Sequence, residues 1–230
     1  MKLREKLFRA VAFGGLCASL TLGSCSRANA GAHDAVTLPA PAVDLPRAAK
    51  PAKSTVVFAG GCFWGVQAVF QHVKGVAEAT SGYAGGAADT AKYQLVSTGE
   101  TGHAESVRVT FDPSQVTFGQ LLKVFFSVAH DPTELNHQGN DEGTQYRSAV
   151  FFTTPDEKRV TEAYVAQLAR ARVFPDRIVT QVVPLQAFYP AEAYHQNYAT
   201  LHPDEPYIMF NDAPKVAHLQ KLLPELYRAQ

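Results

Sequence analysis

An α+β domain, built as a two-layer sandwich of packed helices on a mixed or mostly antiparallel sheet, is predicted by three features of the chain. Short β-branched or alternating apolar runs recur along it, segments with helical apolar spacing lie between them, and no internal repeat is present. Thr55–Ala59 (TVVFA) is the first run, read as a buried strand that breaks at Gly60-Gly61. Val66, Val69, Phe70 and Val73 then fall at i, i+3, i+4 and i+7, the spacing of one helix face. From His103 to Phe111 the pattern alternates, with His103, Glu105, Val107, Val109 and Phe111 on one strand face and Ala104, Ser106, Arg108 and Thr110 on the other. Phe118, Leu121, Leu122 and Phe125 mark a second helix. Ala149–Thr153 (AVFFT) is another strand. After it, Thr154 as N-cap, Pro155 at N1 and Glu157 at N3 form a capping box for a helix striped by Val160, Tyr164, Leu168 and Ala171. Ile178–Val183 is a strand closed by Pro184. Asp212 and Pro214 open a last helix whose inward residues are Val216, Leu219 and Leu223.

The 230 residues, 46% hydrophobic and 18% charged, suit one globular domain. Three cysteines cannot staple a fold of this size, and no apolar run reaches the roughly 18 residues that a spanning helix needs. The zero net charge is uneven. Residues 1–53 hold 8 of the 21 basic and 3 of the 21 acidic groups, which leaves the rest with 13 and 18, a net charge of −5. A mildly acidic body argues against nucleic-acid binding, which needs a basic face.

The N-terminal residues read as an address. A basic Met1–Arg9 precedes an apolar, small-residue Ala10–Gly23, the layout of a secretory signal peptide. Leu22-Gly23-Ser24-Cys25 resembles a bacterial lipobox, so residues 1–25 are expected to be a signal peptide with a lipobox-like end, where cleavage leaves Cys25 to be lipid-modified. Ala28-Asn29-Ala30 offers an alternative cleavage after Ala30. The protein is therefore expected to be exported and periplasmic, with Cys25 as a possible membrane anchor. Residues 26–53, rich in Ala and Pro, are expected to be a linker, and residues 54–230 the catalytic domain.

The chemistry centres on Gly60-Gly61-Cys62-Phe63-Trp64-Gly65, where a strand meets a helix. A cysteine at a helix start, facing unpaired backbone N–H groups, is expected to have a lowered pKa and to be partly thiolate, the reactive form. Phe63 and Trp64 would form an apolar cage beside it. Glu105 lies on the apolar face of its strand, where burial should raise its pKa and keep it available as a general acid. Tyr93, Asp141 and Tyr146 lie in polar, glycine-containing stretches.

Together these motifs resemble a known family. Gly61-Cys62-Phe63-Trp64-Gly65, Tyr93 before Gly102-His103-Ala104-Glu105, His130-Asp131-Pro132, and Gln138-Gly139-Asn140-Asp141 with Gly143-Thr144-Gln145-Tyr146-Arg147-Ser148 are similar to the A-type peptide methionine sulfoxide reductases, from about Thr55 to Leu223. The resemblance implies that Cys62 attacks the sulfoxide sulfur and that Glu105 protonates the oxygen. It implies also that Tyr93 and Tyr146 hold that oxygen, that Asp141 lines the site, and that Phe63 and Trp64 surround the S-methyl group. The implied reaction is reduction of the S epimer through a Cys62 sulfenic acid, on free or protein-bound methionine sulfoxide, as protein repair after oxidative stress. No cofactor or metal is implied. Many members carry resolving cysteines in a C-terminal tail; here none follows Cys62, and Asp204–Gln230 reads as an ordered loop and helix. An external thiol is therefore expected, a thioredoxin-like protein, glutaredoxin or glutathione, with dithiothreitol serving in vitro. A monomer is expected.

The alternative is a secreted cysteine hydrolase or acyltransferase, with His103, His130 or His195 as base. Nothing in the sequence orders these histidines into a triad. His195 and His202 lie outside the register of a shared helix face, and no cysteine pair exists to build a metal site.

Overall fold

The computed structural model describes residues 37–229, so the expectations for residues 1–36, including Cys17 and Cys25, lie outside the described residues. Six strands form the main sheet: β1 (Ser54–Ala59), β2 (Val76–Ala84), β3 (Ala104–Phe111), β6 (Ala149–Phe152), β7 (Gln181–Pro184) and β8 (Phe188–Pro190), in the order β7-β6-β1-β3-β2-β8. Neighbours run antiparallel except β6 and β7, which are parallel. A separate two-residue pair, β4 (His137–Gln138) with β5 (Asp141–Glu142), makes a small hairpin. The expected α+β class with a mixed, mostly antiparallel sheet is what the chain adopts.

Alternation along the central strands sorts their side chains. Val56 and Phe58 of β1 and Val107, Val109 and Phe111 of β3 enter the main core. There they meet α1 (Phe63–Gln71), α3 (Phe118–Val124), α4 (Pro155–Ala171) and α6 (Ala213–Leu222). On the opposite face a smaller cluster gathers Val57, Ala59, Ala104, Ala149 and Phe151. Both faces of β1 and β3 are thus covered, which fixes their register, since a slip of one residue would exchange the two sets. Two short helices, α2 (Tyr93–Val96) and α5 (Tyr198–Leu201), lie in the connections.

Helix boundaries follow from capping. Thr154 and Glu157 make the reciprocal capping box ahead of α4 that the sequence predicts, and Thr117 with Gln120 makes a second one for α3. Beyond α3 the chain widens into a π turn at Phe125–Ala129, so Phe125 lies just past the α-helical segment. Another π turn, Ile208–Asp212, leads into α6.

Two expectations are corrected here. The strand read at Ile178–Val183 lies at Gln181–Pro184, and it accommodates the proline because β7 is an edge strand. The stretch expected as a linker is not free: from residue 37 it lies against the body as a strap without helix or strand. Leu38 is buried, Pro39 O accepts from the Tyr164 hydroxyl at 2.8 Å, and Ala40 and Ala42 bond the Gln167 side chain. Asp44 accepts from Gly119 N–H at 2.7 Å and from the Thr117 hydroxyl at the start of α3. The prolines oppose regular structure, but the segment keeps backbone carbonyls and apolar surface, and α3 and α4 offer partners for both.

The C-terminal end is also held. Lys74 N–H donates to Leu226 O at 2.7 Å, Arg228 N–H donates to His72 O at 2.8 Å, and Val73 bridges Tyr227. The expected order of residues 204–230 is observed through residue 229.

Candidate active site

Cys62 is the N-cap residue of α1, separated from the end of β1 by Gly60 and Gly61. Gly61 makes the turn with φ +86°, and a Cβ there would meet Gln138 at 2.7 Å, so both the backbone angle and the space require glycine. α1 has no side-chain cap of its own. Instead Phe63 N–H donates to Oε2 of Glu105 on the neighbouring β3 at 3.1 Å. Glu105 therefore stands beside the thiol, as its place on the apolar strand face predicts, and it is only 3% exposed.

Around these two lies a cavity of about 170 Å³, lined by Phe63, Trp64, Tyr93, Asp141, Tyr146 and Tyr207 together with Cys62 and Glu105. All seven residues singled out in the sequence are brought into it. Tyr93 opens α2, where its backbone N–H donates to Oε1 of Glu192 at 3.0 Å; Oε2 of the same carboxylate accepts from Tyr83. Tyr146 ends a 3-10 turn that Arg147 ties to the start of β3 through Gly102 O at 2.8 Å and His103 O at 3.1 Å. Asp141 sits in the β4–β5 hairpin and accepts a short hydrogen bond from the Tyr207 hydroxyl.

Sequence reasoning missed Tyr207 and the part played by Asp212. No local pattern marks Tyr207, which reaches the cavity from the helical turn just before Ile208–Asp212. Asp212 reads as a helix opener, yet it makes no side-chain cap and is fully buried. It presses so closely on the first turn of α1 that a Cβ on Gly65 would stand 2.0 Å from its Oδ1. Lys215 answers that oxygen at 3.2 Å.

The electrostatics confirm one expectation and reverse another. Burial raises the Glu105 carboxyl to about 8; the Phe63 N–H opposes the rise, and Asp141 and Asp212 add to it. Glu105 is thus neutral at pH 7. Cys62 is not the lowered thiol that its helix position suggests. Burial first, then the Asp212 and Glu105 carboxyls, push its pKa well above the ordinary value, and the Trp64 backbone N–H lowers it only in part. One helix terminus loses to desolvation and converging acids, so the resting sulfur is a thiol. Burial likewise raises Tyr93, Tyr146, Tyr207 and Asp141, which keeps the phenols as hydrogen-bond donors.

The histidines of the hydrolase alternative are used elsewhere. His103 takes Gly86 N–H and meets Ala87 O, His130 meets Phe125 O and the Ser148 hydroxyl, and His195 accepts from the Trp64 indole.

A buried thiol at a helix start, faced by a neutral carboxyl and by phenolic donors, is the arrangement of a thiol oxidoreductase, and no second cysteine lies among the described residues. The chain belongs to the peptide methionine sulfoxide reductase family, whose model matches residues 54–225. It is an oxidoreductase of the peptide-methionine (S)-S-oxide reductase class. It is 59% identical over 179 residues to peptide methionine sulfoxide reductase MsrA 2 of Mesorhizobium japonicum, covering 78% of this chain and 92% of that one. With MsrA 2 of Synechocystis it shares 47% over 195 residues, 84% and 91% of the two chains. Among solved structures, reduced Mxr1 of Saccharomyces cerevisiae is similar with a TM-score of 0.61 at 30% identity, covering 67% of this chain and 90% of that one. Methionine sulfoxide reductase A of Corynebacterium diphtheriae is similar with a TM-score of 0.57 at 35% identity, covering 75% and 89%.

Proposed function

We propose that the protein reduces the S epimer of methionine sulfoxide, free or within peptides, through a sulfenic acid on Cys62, and that an external thiol restores it. The observation that carries this reading is the pairing of the Cys62 thiol with a Glu105 carboxyl that is neutral at pH 7. A sulfoxide oxygen leaves sulfur only when protonated. As Cys62 Sγ attacks the sulfoxide sulfur, Glu105 gives its proton to the oxygen, and the thiol proton returns to the Glu105 carboxylate. The S–O bond breaks, the oxygen passes to Sγ, and the products are methionine and Cys62–SOH. The substrate sulfur is reduced by two electrons and Sγ is oxidised by two. The phenols of Tyr93 and Tyr146 line the same cavity and would hold the oxygen, while Asp141, held by Tyr207, would polarise the polar side. Phe63 and Trp64 supply the apolar wall for the methyl group.

In recycling, one thiol condenses with the sulfenic acid, releasing water and leaving a mixed disulfide. A second thiol then displaces Cys62 as free thiol. A thioredoxin-like protein fits this role, as do glutaredoxin with glutathione, or dithiothreitol in the assay. Export to the periplasm belongs to the same reading and is supported by the basic, apolar, small-residue order of residues 1–30.

The test is an assay of wild type and Cys62→Ser on the separated S and R sulfoxides of a blocked methionine, with dithiothreitol. Reduction of the S epimer by wild type alone is expected. Turnover by Cys62→Ser, or equal use of both epimers, would overturn the reading.

A further inference from the structure

Trp64, the proposed wall for the methyl group, is gripped from two sides. Its indole N–H donates to Nδ1 of His195 at 3.2 Å, and its ring lies flat on Tyr198, with centroids 3.8 Å apart and planes 10° apart. His195 is 2% exposed and does not line the cavity. Its ring nevertheless packs on Phe63, at 5.0 Å between centroids, and on Tyr93, at 4.5 Å. One buried imidazole thus touches three residues of the cavity wall from behind.

For Nδ1 to accept, the ring must be neutral with its proton on Nε2; an imidazolium carries two donors and no acceptor. Nε2 has no hydrogen-bond partner among the described residues, so the bond from Trp64 is what orients the ring. We propose that His195 is the positioning residue for the Trp64 indole, and that protonation of its imidazole releases the indole and loosens the methyl-binding wall. The proposal rests on the assignment of Trp64 to the substrate wall.

The groups facing His195 come from three elements. α1 presents Phe63 and Trp64 and α2 presents Tyr93, none of them charged. Its own turn carries Tyr194, at 4.2 Å between centroids, and Glu192. The Glu192 carboxylate draws a proton toward the ring but is already engaged by Tyr83 and Tyr93. Burial outweighs that pull and holds His195 below the ordinary imidazole value, so the accepting form is the one present at neutral pH.

The chain has one tryptophan, so its fluorescence reports on Trp64 alone. Emission of the substrate-free protein is followed from about pH 8 to about pH 5, the range in which histidine titrates. Wild type is expected to show a transition below the ordinary imidazole value. His195→Gln, whose amide oxygen accepts the indole N–H without titrating, is expected to lack it. In assays on the S sulfoxide, His195→Leu is expected to raise KM about tenfold with a smaller loss of kcat, the size of one lost hydrogen bond, and His195→Gln to restore most of it. An unchanged transition in His195→Gln, or a wild-type KM in His195→Leu, would overturn the proposal. If His195→Leu does not fold, the His195→Gln titration decides alone. A wild type that reduces no sulfoxide would sink the functional reading, yet the emission arm would still test the Trp64–His195 link.

Discussion

Phe63 N–H donates to Oε2 of Glu105 at 3.1 Å, so the carboxyl on β3 caps the helix that Cys62 begins. The acid is aimed by the same first turn that places the thiol, and the two cannot drift apart without uncapping α1. Substitution at Glu105 therefore tests chemistry cleanly only if the replacement can still accept that bond.

Glu105→Gln meets this condition, since its amide oxygen accepts the Phe63 N–H but the side chain cannot give up a proton. Its kcat should fall by about 10²–10⁴-fold, the usual contribution of a general acid, with a smaller change in KM. Steady-state rates on the S sulfoxide check this, and a near wild-type kcat would remove Glu105 from the role.

The pH profile carries a signature of the same group. Glu105 donates only while protonated, and burial places its pKa at about 8, so kcat/KM should decline as pH rises through that value. Stability follows the same proton. The folded state binds it more tightly than the unfolded chain, so this contribution is complete below 4.5 and is lost as pH rises through about 8. Denaturant titrations should show Glu105→Gln gaining stability relative to wild type across that window. A pH-independent difference would contradict the assignment.

Stoichiometry offers a third check. Cys62 is the only cysteine among the described residues. Without reductant, the enzyme processed as proposed should form one methionine per chain and stop, with one added oxygen on Cys62 that dimedone traps. Mass spectrometry decides, because a loss of two hydrogens without added oxygen would mean an internal disulfide.

The strap gives a prediction about folding alone. Asp44→Ala removes the acceptor for Gly119 N–H and the Thr117 hydroxyl at the positive end of α3. It should destabilise the domain by about 1 kcal/mol, the scale of a lost helix cap, with kcat/KM unchanged. A shift in the urea midpoint measures it.

How far these features could be read from the chain depended on whether their causes are local. β1, β3 and α4 were legible because alternation, a β-branched run or a capping box sits within a few residues. β2 escaped because Glu78, Thr80 and Ser81 break its apolar run, and a bulge between Val76 and Glu78 shifts its alternation. Cys62 and Glu105 stood out for local reasons too. Tyr207, Asp212 and His195 converge on α1 from more than a hundred residues away, and no short window contains that meeting. The thiol misled for the same reason: its helix terminus is local, whereas the acids that outweigh it are not. The Ala/Pro-rich strap shows the reverse error, since composition predicted its lack of regular structure but not its docking on α3 and α4.

The hold on the C-terminal segment makes α1 a spacer. Cys62 stands at one end of the helix, while Arg228 and Tyr227 are bonded to His72 and Val73 at the other. Ten residues of helical rise separate the ends by about 15 Å. A disulfide tolerates no more than about 7 Å between Cα atoms. A cysteine engineered at residues 226–228 would thus remain out of reach unless the segment first peeled from α1. On the proposed cycle, the working speed of the enzyme belongs to its surroundings: at saturating sulfoxide, velocity would rise and fall with the supply of reduced thiol around it.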